Sequence, residues 1–276
     1  MIPFAFDYIA PDTLEEAVDT HARIVGQGRA PVYFAGGTEV ITMARVNSLA
    51  FDAVIDIKHI PQCRGYGIAG ENLVLGAAAS LNDIALSRVF PLLSKACARI
   101  ADHTAQCKIT LGGNVAGTII YHEAALALLL ADASVLLAGL AGVRECSLSS
   151  LYHGKLALQP GELIVQFTVD PGVAALPFVH AKHTEGEKIG YPLFTLAAVR
   201  YANAIKAAIG GYYPHPAVIT LPLSSFPMDT EYAIGQLMLQ LAGEPITDTL
   251  GSAEYRRSML VTALRAMLVQ LGGFKA

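Results

Sequence analysis

Residues 32–41, VYFAGGTEVI, and residues 109–118, ITLGGNVAGT, decide how this chain is read. Each carries a glycine pair followed by a polar residue, Gly36-Gly37-Thr38 in the first and Gly112-Gly113-Asn114 in the second. Each follows an apolar or β-branched run and opens a new segment. Adjacent glycines reach φ > 0 at no steric cost, so successive N–H groups can converge on one point. Such a concavity takes anions, phosphate above all. Either loop alone reads equally well as a tight turn after a strand. Two in one chain suggest a ligand with two phosphates, held between two segments, and a dinucleotide is such a ligand.

Outward from these loops the chain divides into three units. The first reads strand, helix, strand. FDYIAP leads to Thr13 as an N-cap with Glu16 three residues on, a capping box. Leu14, Ala17, Val18, His21 and Ile24 then share one helical face. PVYFAGG is a strand running into the first loop, EVITMARV a short helix, and FDAVIDI a strand. The second unit begins near Ile60. ENLVLGAAAS is a strand with a hairpin signal before it, Ser80 with Asp83 caps a helix, and Pro91 starts another. Pro160-Gly161 turns the chain into a further strand. The third unit carries a hairpin centred on Asn203, then two helical patterns, the last opened by Ser252.

Composition bounds the function. The 276 residues are 53% hydrophobic and 15% charged with a net charge of −4, so no electrostatic footprint for nucleic acid is present and part of the surface is expected to be covered by another subunit. The longest apolar stretch, residues 124–142, has Asp132 in its middle and Gly139 and Gly142 at its end. It reads as a buried helix to about Ala131 followed by a strand from Ser134 to Leu140, not as a membrane span. The opening MIPFAFDYIAPD lacks the basic and apolar regions of a secretory signal. Cys63, Cys97, Cys107 and Cys146 form no CxxC pair, which argues against a metal site built from this chain and fits reduced thiols in a cytoplasmic protein.

Gly65, Gly67 and Gly70 spell G-x-G-x-x-G in RGYGIAGENLVLG. A dinucleotide fingerprint of that spacing follows a strand and opens a helix. This one follows PQCR and opens a strand, so it is expected to be the approach to a hairpin.

AGGTE, DIKHI, LVLGAAASLND, TLGGN and PGELI occur in that order, and GSAEYRR lies near the C-terminus. This ordered set resembles the FAD-binding subunit of the molybdenum hydroxylase family, which includes xanthine dehydrogenase and carbon monoxide dehydrogenase. The resemblance covers nearly the whole chain. GTIIYHEAALALLLADA and KIGYPLFTLAAVRY are most similar to the separate FAD subunits of bacterial xanthine dehydrogenase-type enzymes. It implies an α+β fold: a flavin-binding domain of the vanillyl-alcohol oxidase (PCMH) type in two subdomains, residues 1–58 and 59–174, and a small C-terminal α+β domain, residues 175–276, of a three-stranded sheet and helices.

In the family both glycine loops wrap the FAD diphosphate. That implicates Ala35, Gly36, Gly37, Thr38 and Glu39, then Thr110, Gly112, Gly113 and Asn114. The family's acidic residue about nine positions after the asparagine falls on Glu123, whose carboxylate is suited to accept hydrogen bonds from ribityl hydroxyls. A solvated glutamate at a helix start is its competing reading. Lys182 in HAKHT matches the family's flavin-contacting lysine. Two departures stand out. Residues 118–122, TIIYH, replace the family's Ser-Pro, leaving His122 either facing the flavin ring or merely exposed. In GEKIGYPLF, Lys188 is present but Tyr191 stands where nicotinamide-using members have Asp.

The resemblance implies an electron-transfer subunit with no acid–base catalyst of its own. Substrate would be oxidised on a molybdopterin-binding large subunit, and electrons would cross a 2Fe–2S small subunit to FAD here, then pass to NAD or another acceptor. Two alternatives stay open: a self-contained flavin oxidoreductase, and a non-catalytic assembly subunit that has lost FAD.

Overall fold

A computed structural model describes residues 1–152, 156–186, 190–223 and 229–272. The first unit contains β1 (Asp7–Ile9), α1 (Leu14–Gly26), β2 (Pro31–Phe34), α2 (Thr38–Arg45) and β3 (Ala53–Asp56). Its three strands form a parallel sheet in the order β1-β3-β2. Parallel neighbours need a crossover, and α1 and α2 occupy the two intervals. Thr13 Oγ1 accepts from the Glu16 N–H at 3.1 Å, as expected for the cap. The Glu16 carboxylate reaches one residue further than a capping box requires and accepts from the Asp12 N–H.

The second unit contains α3 (Pro61–Arg64), β4 (Tyr66–Ala69), β5 (Asn72–Gly76), α4 (Leu81–Ser87), α5 (Pro91–Cys97), α6 (His103–Gln106), α7 (Leu111–Ala116), α8 (Glu123–Leu130), β6 (Ser134–Gly139), β7 (Gly142–Ser147) and β8 (Leu163–Val169). The sheet order is β4-β5-β8-β6-β7, antiparallel throughout. The Ser80–Asp83 capping box is complete. The G-x-G-x-x-G glycines fall in and around the β4–β5 hairpin, with Gly67 in β4 itself, and open no helix. The long apolar stretch divides into α8 and β6. All eight residues of α8 are buried, which is why its sequence is apolar all round and has no amphipathic stripe. Among the described residues no helix is long and apolar enough to cross a membrane.

After α9 (Pro171–Ala174), whose Ala174 packs in the second unit's core, the third unit contains β9 (Phe178–His183), β10 (Phe194–Arg200), β11 (Ala204–Gly210), β12 (Ala217–Pro222), α10 (Thr230–Met238) and α11 (Ala253–Gly272). Its antiparallel sheet, β12-β11-β10-β9, has four strands where three were expected. The extra strand is β9, whose residues Phe178–His183 include His180 and Lys182. Two polar residues on its inward face hide the alternation that marks a half-buried strand.

Three large cores join these parts. One gathers α5, α7 and α8 with the second sheet and extends to Ala197, Val199 and Ala208 of the third sheet. Another packs the opposite face of the third sheet against α10 and α11. A third fits α1 and β3 to Ala138, Leu163 and Val165 of the second unit. The Tyr33 hydroxyl adds a bond to the Gly161 carbonyl at 3.1 Å, pinning the first unit to the Pro160-Gly161 turn.

Candidate functional site

The first loop is the start of α2. Gly37 is the N-cap, with φ of 72° and no side-chain cap. A left-handed residue here favours glycine, and a Cβ would also stand 2.1 Å from the Phe34 ring. Helix starts leave their first N–H groups without internal partners. Among the described residues nothing accepts from the N–H groups of Gly37, Thr38 or Glu39. Lys58, from DIKHI, braces the strand that leads in: its Nζ reaches the Ala35 carbonyl at 2.8 Å and Asp56 Oδ2 at 2.5 Å. Burial opposes ionisation of Asp56, but bonds from Lys58 and Tyr8 outweigh it and hold the carboxyl below its usual range. An apolar hollow of about 180 Å³, lined by Tyr8, Phe34, Ile41 and Phe51 among others, borders this loop.

The second loop is also a helix start, but its donors are spent. Thr110 caps α7. The Leu111 and Gly112 N–H groups donate to Ala79 and Ala77 carbonyls at 2.9 and 2.8 Å, and Asn114 N–H donates to Thr110 O at 2.8 Å. Gly113 N–H goes to Thr110 Oγ1 at 3.3 Å. A Cβ on Gly112 would lie 2.6 Å from the Ala77 Cβ, so the small residues of LVLGAAASLND exist to let α7 approach. Free N–H groups, which the expected phosphate cradle requires, are therefore present at the first loop and taken up within the protein at the second. The second offers a bare surface at Gly113, which is exposed, and the amide of Asn114. Asn114 Oδ1 accepts from the Ala124 N–H at 3.1 Å. That fixes the amide orientation, and Nδ2 has no acceptor among the described residues.

The two loops meet. A Cβ on Gly36 would fall 1.7 Å from the Lys108 carbonyl oxygen, so Gly36 serves the contact between loops. At the far end Glu39 Oε1 accepts from the N–H and Oγ1–H of Thr118 at 2.9 and 2.7 Å.

Behind the second loop Glu123 opens α8. Its neighbours bind Asn114 on both sides, Ala124 through the bond above and His122 through Nδ1 against the Asn114 carbonyl at 3.3 Å. His122 is buried and left-handed, with φ of 38°. Burial lowers its pKa, so the ring favours its neutral form. Glu123 is itself 5% exposed. Lys182 Nζ stands 3.1 Å from its Oε1 and also donates to the Arg99 carbonyl at 2.8 Å. Thr195 Oγ1 donates to Glu123 Oε1 at 3.1 Å. The carboxylate is thus an inward ion-pair partner and not a solvated helix-start residue. Burial raises its pKa, and Lys182 pulls it back only in part.

Tyr191 is exposed and stacks on Tyr121, ring centroids 4.9 Å apart and planes within 15°. Two residues further on, the Leu193 carbonyl is held from behind. The wholly buried Arg256 donates to the carbonyls of Leu193, Gly211 and Ile246 and pairs with Asp248. Sequence reasoning missed Arg256 and Thr195 as members of this region. A lone polar residue in the apolar run FTLAAV was the available signal for Thr195. For Arg256 the available signal was its place in GSAEYRR, which marks the segment but not which of its two arginines is buried. Lys188 lies outside the described residues.

A donor-rich helix start and a glycine-rich helix start thus lie against each other, tied at Gly36–Lys108 and at Glu39–Thr118. The chain matches, over residues 4–170, the family described as the FAD binding domain in molybdopterin dehydrogenase, and it belongs to that family. Its cofactor is FAD. The carbon monoxide dehydrogenase medium chain of Hydrogenophaga pseudoflava is 35% identical over 121 residues, 42% of this chain and 41% of that one. The xanthine dehydrogenase FAD-binding subunit of Escherichia coli O157:H7 is 25% identical over 62% of this chain and 59% of that one. The chain thus spans about half the length of these curated relatives. In three dimensions it is similar, over 100% of both chains with a TM-score of 0.87 and 23% identity, to a chain of the carbon monoxide dehydrogenase from Hydrogenophaga pseudoflava which lacks the Mo-pyranopterin moiety of the molybdenum cofactor. That likeness bears on the fold alone.

Proposed function

We propose that this chain is the FAD-binding electron-transfer subunit of a molybdenum hydroxylase of the xanthine dehydrogenase kind, working with a molybdopterin-binding large subunit and a 2Fe–2S small subunit in the cytoplasm. Bound FAD would supply the redox chemistry, accepting electrons from the iron–sulfur partner and delivering them to NAD or another acceptor. The observation that carries this reading is the junction of the two glycine loops. N–H groups of Gly37, Thr38 and Glu39 at the α2 start would face the diphosphate, favoured by the helix dipole. Ala35 and Gly36 would shape the approach to them. Gly113 would present a surface without an obstructing Cβ, Thr110 and Gly112 would hold the turn that exposes it, and Asn114 Nδ2 would donate from the second loop. Glu123 and Lys182 would form the polar floor of the flavin site, and Tyr191 a movable wall. The names of the relatives, a medium chain and an FAD-binding subunit, support a chain that works within an assembly.

Purified protein is expected to be yellow yet to turn over no substrate until molybdenum and iron–sulfur subunits are added. Turnover by the chain alone would favour a self-contained flavin oxidoreductase. A colourless chain that takes up no FAD, alone or assembled, would favour an assembly subunit.

The acceptor side rests on Tyr191. An aromatic ring in place of a short carboxylate would lie against one flavin face and hinder nicotinamide. In the assembled enzyme Tyr191→Ala is expected to speed reduction of bound FAD by NADH on the order of tenfold or more, because a removed gate frees the geometry that transfer requires. Stopped-flow absorbance decides it. Fast wild-type reduction, unchanged in the variant, refutes the gate. No reduction in either protein points to another acceptor, such as a ferredoxin or a quinone.

A further inference from the structure

We infer that Glu39 is a positioning residue: it clasps the second loop through Thr118 and so fixes the separation of the two loops that hold the cofactor, an inference resting on the flavin site proposed above. A carboxylate beside a diphosphate is electrostatically unfavourable, since like charges repel. No Lys or Arg among the described residues pairs with Glu39, and the titratable group it acts on, His122, is kept toward its neutral form by burial. Its acceptor atoms are turned away to Thr118, 79 positions along the chain, where one oxygen takes both the main-chain N–H and the hydroxyl. The intervening residue is shaped for this contact. A Cβ on Gly117 would stand 2.7 Å from Glu39 Oε2, so glycine there lets the carboxylate settle over the backbone.

The clasp works with the contact at the other end of the loops. Gly36 abuts the Lys108 carbonyl before the second glycine pair, and Glu39 holds Thr118 after it. Between these two ties lie Gly37 and Thr38 on one side and Thr110 to Asn114 on the other. Two ties bracket the facing segments, whereas one would leave a hinge. Because Glu39 spends its side chain on Thr118, the free N–H groups of the α2 first turn stay available to the ligand. A donor pair bound to a charged acceptor is also stronger than a neutral pair, which suits a tie between separate units.

The inference separates from direct contact between Glu39 and FAD by the behaviour of its partner. FAD affinity and dissociation rate are to be measured by flavin fluorescence on the full chain for wild type, Glu39→Ala, Glu39→Gln, Thr118→Val and the double variant Glu39→Ala/Thr118→Val, with circular dichroism confirming that each is folded. Glu39→Ala is expected to weaken FAD binding about tenfold or more through faster dissociation, the scale of losing hydrogen bonds to a charged group. Glu39→Gln keeps an oxygen that accepts both bonds, so the weaker neutral tie is offset by the lost repulsion and it is expected to bind FAD near the wild-type affinity and well above Glu39→Ala. Thr118→Val is expected to weaken binding severalfold, and the double variant to be no weaker than Glu39→Ala alone. Wild-type affinity in Thr118→Val, or additive losses in the double variant, would overturn the clasp while leaving the flavin site standing. A wild-type chain that takes up no FAD would overturn both, and the wild-type titration alone tells that case apart.

Discussion

Gly113→Val is expected to give a folded chain that has lost its flavin, and Gly36→Val a chain that has lost stability as well. The two glycines look interchangeable in sequence, yet their surroundings differ. At Gly113 an added Cβ meets only Thr110 Oγ1, at 2.9 Å, a side-chain atom able to give way. The site is exposed and lies in the first turn of α7, where valine costs no more than glycine. What the branched side chain fills is the bare surface offered to the cofactor. The expected loss of FAD affinity is on the order of a hundredfold, the scale of one or two charge-assisted bonds at about 1.5–3 kcal/mol each. At Gly36 the Cβ would lie 1.7 Å from the Lys108 carbonyl oxygen. A main-chain carbonyl held between elements cannot swing aside, so the loops must part. Overpacking of this kind costs about 3 kcal/mol or more. Denaturant unfolding with flavin absorbance on the same samples checks both. Full FAD retention in folded Gly113→Val removes the second loop from the site, and a wild-type midpoint for Gly36→Val shows that the loops do not abut.

Lys182→Met is expected to destabilise the chain by about 3–5 kcal/mol, because it strands a buried carboxylate. The lysine side chain is 2% exposed and that of Glu123 7%. Methionine keeps the apolar stem but removes the charge that faces Glu123 and the donor to Arg99. The loss depends on pH in a direction set by Glu123. Burial already raises its folded pKa, and loss of the ammonium raises it further, whereas the unfolded value stays near about 4.3. Between those two values the folded state binds more protons than the unfolded one, so stability falls as pH rises toward and through the folded pKa. Urea unfolding at about pH 5 and about pH 8 is therefore expected to show the larger deficit at the higher pH. Adding Glu123→Gln is expected to recover much of the loss. A Lys182→Met variant as stable as wild type at both values would show that the pair is solvated.

Much of the site is legible in the sequence. Motifs lead to both glycine loops, Glu123, Lys182 and Tyr191, and the structure brings Glu123 to Lys182 and the first loop to the second. The G-x-G-x-x-G of Gly65, Gly67 and Gly70 is set aside on local grounds, because a strand and not a helix comes after it, and it does lie at a hairpin. Roles within the site are less legible. A glycine pair states that the backbone needs room but not which group fills it. Gly36 makes room for the Lys108 backbone and Gly112 for Ala77, whereas Gly113 faces only the Thr110 hydroxyl that caps it. Whether an N–H is free depends equally on its surroundings. The α7 donors of Leu111 and Gly112 are taken by the Ala77–Ala79 segment, and the α2 donors are not.

By itself the sequence determined those features that depend on neighbours along the chain. The caps at Thr13 and Ser80, the division of residues 124–142 into a helix and a strand, and the hairpin around Asn203 all come from residue preference and short-range spacing. Only the tertiary structure decided which distant groups meet. It placed the polar strand β9 at the edge of the third sheet, with Lys182 against Glu123. It buried Arg256 against the carbonyls of Leu193 and Gly211, and it tied Glu39 to Thr118 across 79 positions. Those pairings are set by how three sheets share their cores. A charged residue carries no sign in sequence of whether its partner will be water or another side chain.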